Sequence, residues 1–227
     1  MIHKHLPLWN FDSFSSFKNL RHFVSMREGG VSQGELSSLN LSYSTGDKPE
    51  NVVENRRRLA EAVGIDQKAL IFGRQVHGSA VKYVSREIAY NEAVRQEFLK
   101  ETDALFTDVK GVCLCVMAAD CVPLLFYVPR QQVIGVAHAG WRGTVAKIGQ
   151  KTALAIMEKF KCNPDELFVG IAPSISAAVY EVGSDVIEAV EKAFGTTKEL
   201  ILNERNGKGF FDLWKANVLQ LTEVGIP

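Results

Sequence analysis

Three residues of this chain have side chains that could do chemistry together: His77, Cys121 and His138. His138 ends the apolar run of "VIGVAHAGWRGT" and precedes a turn whose Gly140 and Gly143 let backbone approach a ligand closely. Cys121 follows "AAD" at the junction of two apolar runs. His77 sits in "RQVHG", again at a break between apolar runs with a glycine beside it. Two imidazoles and a thiolate suit zinc or copper, and catalytic zinc sites keep three protein ligands and leave the fourth position for water or substrate. Histidine is scarce: the chain has five, and His3, His5 and His22 all lie at its start.

The same atoms support other readings. Cys121 paired with His138 or His77 would be nucleophile and base in a thiol hydrolase. A metal ligand cannot also be that nucleophile, so the two readings exclude each other. A third reading makes them a buried free thiol and two hydrogen-bonded histidines. Asp120 could orient a histidine through its other ring N–H or transfer protons, or simply cap a turn. Arg142, just before a helix, could hold an anion at the helix N-terminus, or form a surface ion pair. Arg56, Arg57 and Arg58 occupy successive helix positions, so they cannot all face one site.

Strands that stop at these residues must position them. "DALFTDVKGVCLCVMAADCVPLLFYVPRQQVIGVAHAG" reads as three apolar runs, with turns at Ala119–Asp120 and Pro129–Arg130 short enough for hairpins. "LIFGRQVHGSAVKYV" reads as a strand interrupted between Gly73 and Gly78 and then a second strand, and "LFVGIAPSI" as another. Helices are expected over "KPENVVENRRRLAEAVGI", with Gly64 as its cap, and over "TVAKIGQKTALAIMEKF", "GSDVIEAVEKAF" and "FDLWKANVLQLTEVGI". Up to about Ser44 the residues read as strands and loops. The class is therefore α/β (α+β): a single-domain, mixed-sheet α/β sandwich over residues 1–227.

Composition narrows the function classes. Lysine plus arginine and aspartate plus glutamate number 26 each, so bulk charge gives no reason to expect a nucleic-acid partner. No apolar run approaches the roughly 20 residues of a membrane span. The opening "MIHKHLPLWNFDSF" lacks the pattern of a secretory signal, so we expect a cytoplasmic chain without a membrane partner. The cysteines (Cys113, Cys115, Cys121, Cys162) suit buried thiols or a metal ligand better than disulfides.

An ordered series of motifs resembles one family. Arg27 with "GGVS", "LNLS" before Gly46–Asp47, "NVVENR", "QVHG", "TDALFT", "ADCVPLL", "AHAGWRGT" and "YEVG" occur in that family's order. The chain is similar to the laccase-domain, or multicopper polyphenol-oxidase-like, proteins. These are also called peptidoglycan editing factors and are regarded as zinc-dependent purine nucleoside phosphorylases with adenosine deaminase activity. The resemblance implies that His77, Cys121 and His138 bind one zinc ion, with copper able to occupy the same site. It implies adenosine, inosine and methylthioadenosine as substrates, with phosphate as co-substrate. Arg142 and Arg56 are then the candidates for phosphate, and Asp120 for proton transfer.

The alternatives keep their own marks. A copper-dependent polyphenol oxidase would need more histidines than five for multicopper catalysis. A non-catalytic, metal-stabilised module would need a fourth protein ligand. Two departures from the family pattern stand out. Ala177, Ala178 and Val179 replace cysteines that many relatives carry before "YEVG". The resemblance also implies a further C-terminal strand and arginine-containing loop beyond "LTEVGIP".

Overall fold

The computed structural model describes residues 6–227, so His3 and His5 lie outside the described residues. The chain forms two compact units, one of residues up to Ile71 with Gly111–Cys113, the other of Phe72–Lys110 with Leu114–Pro227.

In the first unit, short strands β1 (Leu8–Trp9) and β2 (Val24–Ser25) pair antiparallel. Beside them Phe11, Phe14 and His22 pack ring to ring. The His22 Nε2 accepts the Phe11 N–H at 2.9 Å, and burial lowers the imidazole's pKa. His22 is thereby accounted for as a packing residue. Helix α1 (Pro49–Val63) begins with proline, whose fixed φ and missing N–H suit a first turn, and ends at Gly64 in the left-handed region (φ 69°). Its buried face is Val52, Asn55, Leu59 and Ala60, while Val53 turns outward.

The chain crosses into the second unit within β3 (Leu70–Phe72). There follow β4 (Val81–Tyr83), α2 (Arg86–Tyr90), α3 (Glu92–Phe98), β5 (Ala104–Thr107), β6 (Cys113–Cys115), β7 (Val122–Val128) and β8 (Val133–Ala139). Then come α4 (Trp141–Val145), α5 (Ile148–Phe160), β9 (Phe168–Ile171), β10 (Glu181–Gly183), α6 (Ser184–Phe194), β11 (Ile201–Arg205), β12 (Lys208–Phe211) and α7 (Leu213–Thr222). The central sheet has the order β4-β5-β8-β7-β9. Its β4–β5 pair is parallel and the others are antiparallel. This is the mixed α/β arrangement expected from the sequence. A second, antiparallel sheet runs β10-β12-β11.

The core explains why β8 can carry a histidine. Val133, Ala137 and Ala139 join the main apolar cluster together with Leu124, Phe126, Ile156 and Phe211. Gly135 lies against the same helix, since a Cβ there would sit 3.1 Å from Ile156 Cδ1. The period of two then turns Ile134, Val136 and His138 to the opposite face.

Three local expectations differ from the structure. The helix read over "TVAKIGQKTALAIMEKF" is two helices, because Lys147 adopts a left-handed conformation (φ 61°) between α4 and α5. Its Nζ is anchored there by Glu223 at 3.1 Å and over the Phe194 ring. The turn at Ala119–Asp120 makes no hairpin, since β6 lies outside the central sheet and only the Pro129 turn joins neighbours, β7 and β8. Helices α2 and α3 and the β11–β12 hairpin are additions. Among the described residues no helix is long and apolar enough to cross a membrane.

Candidate metal centre

The paired strands bring the three candidate ligands to one place. In the β7–β8 ladder Pro123 faces His138 and Val122 faces Ala139, so Cys121 falls opposite Gly140 as the register runs on. On the other side of β8, Ala104 faces Ala137, and the His138 N–H donates to the Asp103 carbonyl at 2.8 Å. The tip of β8 is thus flanked by Cys121 and Asp103. His77 arrives on the loop between β3 and β4. That loop is clamped by Gln75, whose amide exchanges two 2.7 Å hydrogen bonds with the backbone of Met117, four residues before Cys121.

The ligand atoms of His77, Cys121 and His138 all lie within 4.8 Å of one another, so the group could hold a metal ion. A tetrahedral ion would draw such atoms to about 3.5 Å apart, within reach of small side-chain rotations. His77 is exposed, Cys121 half-buried and His138 buried. The imidazoles of His77 and His138 meet edge to face with centroids 4.8 Å apart. Among the described residues no fourth histidine, cysteine or carboxylate joins the group.

Electrostatics favour a proton where the metal would sit. Burial works against charge on His138, but hydrogen bonds to Asp103 and Cys121, with their negative charges, prevail and raise its pKa to about 9. The folded-state value lies above the ordinary 6.5. The protonated imidazole therefore stabilises the metal-free protein fully below about pH 6.5, and that contribution is lost as the pH rises through about 9.

The other candidate residues are placed as follows. Asp120 is exposed, and its backbone carbonyl accepts from Ile175 N–H. The carboxylate on the His138 ring is Asp103, whose Oδ1 lies 2.9 Å from Nδ1. Arg142 is exposed and stacks over Trp141 with its guanidinium carbon 4.3 Å from the ring centroid. The helix that begins there, α4, has only five residues, so its dipole adds little and anion binding would rest on the guanidinium. Arg56 belongs to the first unit, where its Nε and Nη2 donate to the Leu41 carbonyl and its guanidinium covers Tyr43.

Two residues were not singled out from the sequence. Asp103 is one, hidden inside "TDALFT". Tyr180 is the other: burial raises its phenol's pKa, the charges of Cys121 and Asp120 add to the rise, and Arg142 opposes it. That coupling places Tyr180 within electrostatic reach of the centre. Its signal was the "YEVG" motif, to which no role attached.

Gly140 is where the site tolerates least. A Cβ there would stand 2.9 Å from Cys121 Sγ and 3.3 Å from His77 Cδ2. Gly140→Ala is expected to cost about 1–3 kcal/mol of overpacking, which is roughly a 5- to 150-fold loss of metal affinity if it falls on the ligands. Competition titration against a chromophoric chelator measures this. Unchanged affinity would mean that the ligands move aside freely.

Comparison with known proteins places the chain in a family. A family model described as multi-copper polyphenol oxidoreductase laccase matches residues 21–227. The chain belongs to this laccase family. The chain is 39% identical to a purine nucleoside phosphorylase of Bacteroides thetaiotaomicron, over all of this chain and 84% of that protein. It is 31% identical to adenosine deaminase RL5 from an unknown prokaryotic organism, over 98% of this chain and 85% of that one. The crystal structure of YlmD from Geobacillus stearothermophilus superposes with a TM-score of 0.86 at 32% identity, covering 94% of this chain and 80% of its own. The chain is thus similar both to a laccase family model and to proteins named for nucleoside chemistry.

Proposed function

We propose that this protein is a zinc-dependent purine nucleoside phosphorylase with adenosine deaminase activity, acting on adenosine, inosine and methylthioadenosine. The observation that carries the reading is the convergence of His77, Cys121 and His138 within 4.8 Å, in a chain 39% identical to a purine nucleoside phosphorylase. His77, Cys121 and His138 would hold the zinc, which would supply Lewis-acid chemistry and an activated water there.

The chain's own residues supply the rest. In phosphorolysis a phosphate oxygen attacks C1′, the glycosidic bond breaks, and the leaving purine nitrogen takes a proton, giving ribose 1-phosphate and free base. Arg142 can take the phosphate in a bidentate pair, because its guanidinium has no hydrogen-bonding partner among the described residues and is held only against Trp141. In deamination a water oxygen bonds to C6 and ammonia leaves, which requires a proton to move from the water to the departing nitrogen. Asp120, exposed and next to Cys121 in the chain, is assigned that proton transfer.

The test is metal analysis of the purified protein, with adenosine and phosphate assayed for products. Stoichiometric zinc together with ribose 1-phosphate or inosine is the expected result. Metal-free protein that still turns adenosine over would overturn it and favour the thiol nucleophile, and bound copper with oxidation of phenols would favour the oxidase. Arg142→Ala is expected to raise the phosphate requirement of phosphorolysis roughly 10- to 100-fold, the loss of a charge-assisted pair, and to affect deamination much less. Equal loss of both activities would make Arg142 structural.

A further inference from the structure

We propose that Asp103 is the positioning residue of this centre: one buried carboxylate that orients both histidine ligands, His138 through its ring and His77 through its backbone. The proposal rests on the metal reading above and adds to it the group that preorganises the ligands.

Asp103 is 1% exposed, and its carboxylate bonds to His138 and to the loop that carries His77. Its Oδ1 lies 2.9 Å from His138 Nδ1 and accepts the His77 N–H at 3.0 Å. Its Oδ2 accepts the N–H groups of Val76 at 3.1 Å and Gly78 at 2.9 Å. Three successive amides of the His77 loop therefore close on one carboxylate, which on its other side meets the second histidine.

Each contact does a separate job. A carboxylate accepts and cannot donate, so Nδ1 of His138 must carry the hydrogen in this bond. That leaves Nε2 as the ring's free donor atom for a metal, the arrangement by which a carboxylate fixes a ligand's tautomer and ring angle. His77 has φ 59°, a left-handed conformation that is unfavourable for a residue with a Cβ. The three amide bonds offset that cost and aim the imidazole at Cys121 and His138. Burying the carboxylate would be expensive alone, and its four donors compensate. Asp120, nearer to Cys121 in sequence, has no such contacts with either imidazole among the described residues.

The closing experiment titrates metal-free wild-type protein and Asp103→Asn with cobalt(II), following the d–d bands and the thiolate charge-transfer band. Asparagine keeps the size, but one of its two polar atoms can no longer accept. The expected result is a tetrahedral spectrum for the wild type, and for Asp103→Asn a 10- to 100-fold weaker affinity with altered d–d bands and unchanged far-ultraviolet circular dichroism. Wild-type affinity and spectrum in the variant would overturn the positioning role while leaving the metal reading intact. Wild-type protein that takes up no cobalt would overturn both. Should Asp103→Asn fail to fold, histidine 15N NMR of the zinc-loaded wild type decides. A protonated Nδ1 with a far-downfield proton on His138 supports the proposal, and metal on Nδ1 sinks it.

Discussion

Cys121→Ala should leave the protein without stoichiometric metal and lower turnover of adenosine by about a thousandfold or more, the scale set by losing several kcal/mol of metal-derived transition-state stabilisation. Removing the thiolate leaves two imidazoles, one of them on an exposed loop, and a two-ligand site holds a zinc-like ion poorly. The β7–β8 pairing does not depend on this side chain, because the ladder begins at Val122 and Gly140 already provides the space beside it. The variant should therefore fold, so its lost activity reports chemistry. The measurement also separates the two readings of the thiol. If Cys121 is a nucleophile, the alanine variant loses activity while its metal content stays as in the wild type. If it is a ligand, metal and activity disappear together, and added zinc restores neither at ordinary concentrations. In the metal-free variant His138 also loses one of the two partners that raise its pKa, so its imidazole should titrate at lower pH than in metal-free wild type.

How much of this was legible in the sequence depended on whether the signal was local. His77, Cys121 and His138 could be singled out because each stands where an apolar run breaks, while their reading as ligands of one zinc ion came from the family resemblance. Helix α1 was legible from Pro49 and Gly64, and the β7–β8 hairpin from the turn at Pro129. Asp103 was not, because its role is created by a strand pairing that spans 35 residues. Nothing in "ETDALFT" distinguishes it from a residue that merely precedes a strand. Asp120 offered itself through its place beside Cys121, but nearness in sequence does not decide which carboxylate meets the imidazole, and that one is Asp103. Helices α2 and α3 escaped because "REIAY" and "NEAVRQEF" are short and polar. Ser85 and Asn91 start them by accepting from Ile88 and Val94 backbone N–H groups. The β11–β12 hairpin had its mark in Asn206–Gly207, both at positive φ, the dipeptide that a tight hairpin favours. The break at Lys147 had no sequence mark, since its anchors Glu223 and Phe194 are distant along the chain.

The motif "NVVENR" carries the second large effect, and it falls on Asn55 rather than on the arginine beside it. Asn55→Ala is expected to lower the stability of the first unit by about 3–5 kcal/mol, the sum of several buried polar groups left without partners. The Asn55 side chain is fully buried. Its Oδ1 accepts the Val31 N–H at 2.8 Å, and its Nδ2 donates to Ser32 Oγ at 2.8 Å, Asn40 O at 2.8 Å and Ser38 O at 3.2 Å. One amide thus holds a loop that has almost no regular structure of its own. The effect propagates, because Ser32 and Asn40 in turn donate to Asp47 at 2.5 and 2.9 Å. Those hydrogen bonds hold the Asp47 carboxyl well below the usual carboxylate range, the Asn40 contact contributing most. Asn55→Asp should be no milder. It keeps an acceptor for Val31 but turns its second oxygen on acceptors that need a donor, and it buries a charge. Urea unfolding followed by intrinsic fluorescence measures both variants. A loss below about 1 kcal/mol in Asn55→Ala, the scale of a single ordinary hydrogen bond, would show that the loop holds itself. With the expected loss, Leu41 and Tyr43, which seat the Arg56 guanidinium, should loosen as well. Arg56 would then depend on its neighbour for its place, and Asn55→Ala and Arg56→Ala should combine to less than the sum of their separate effects.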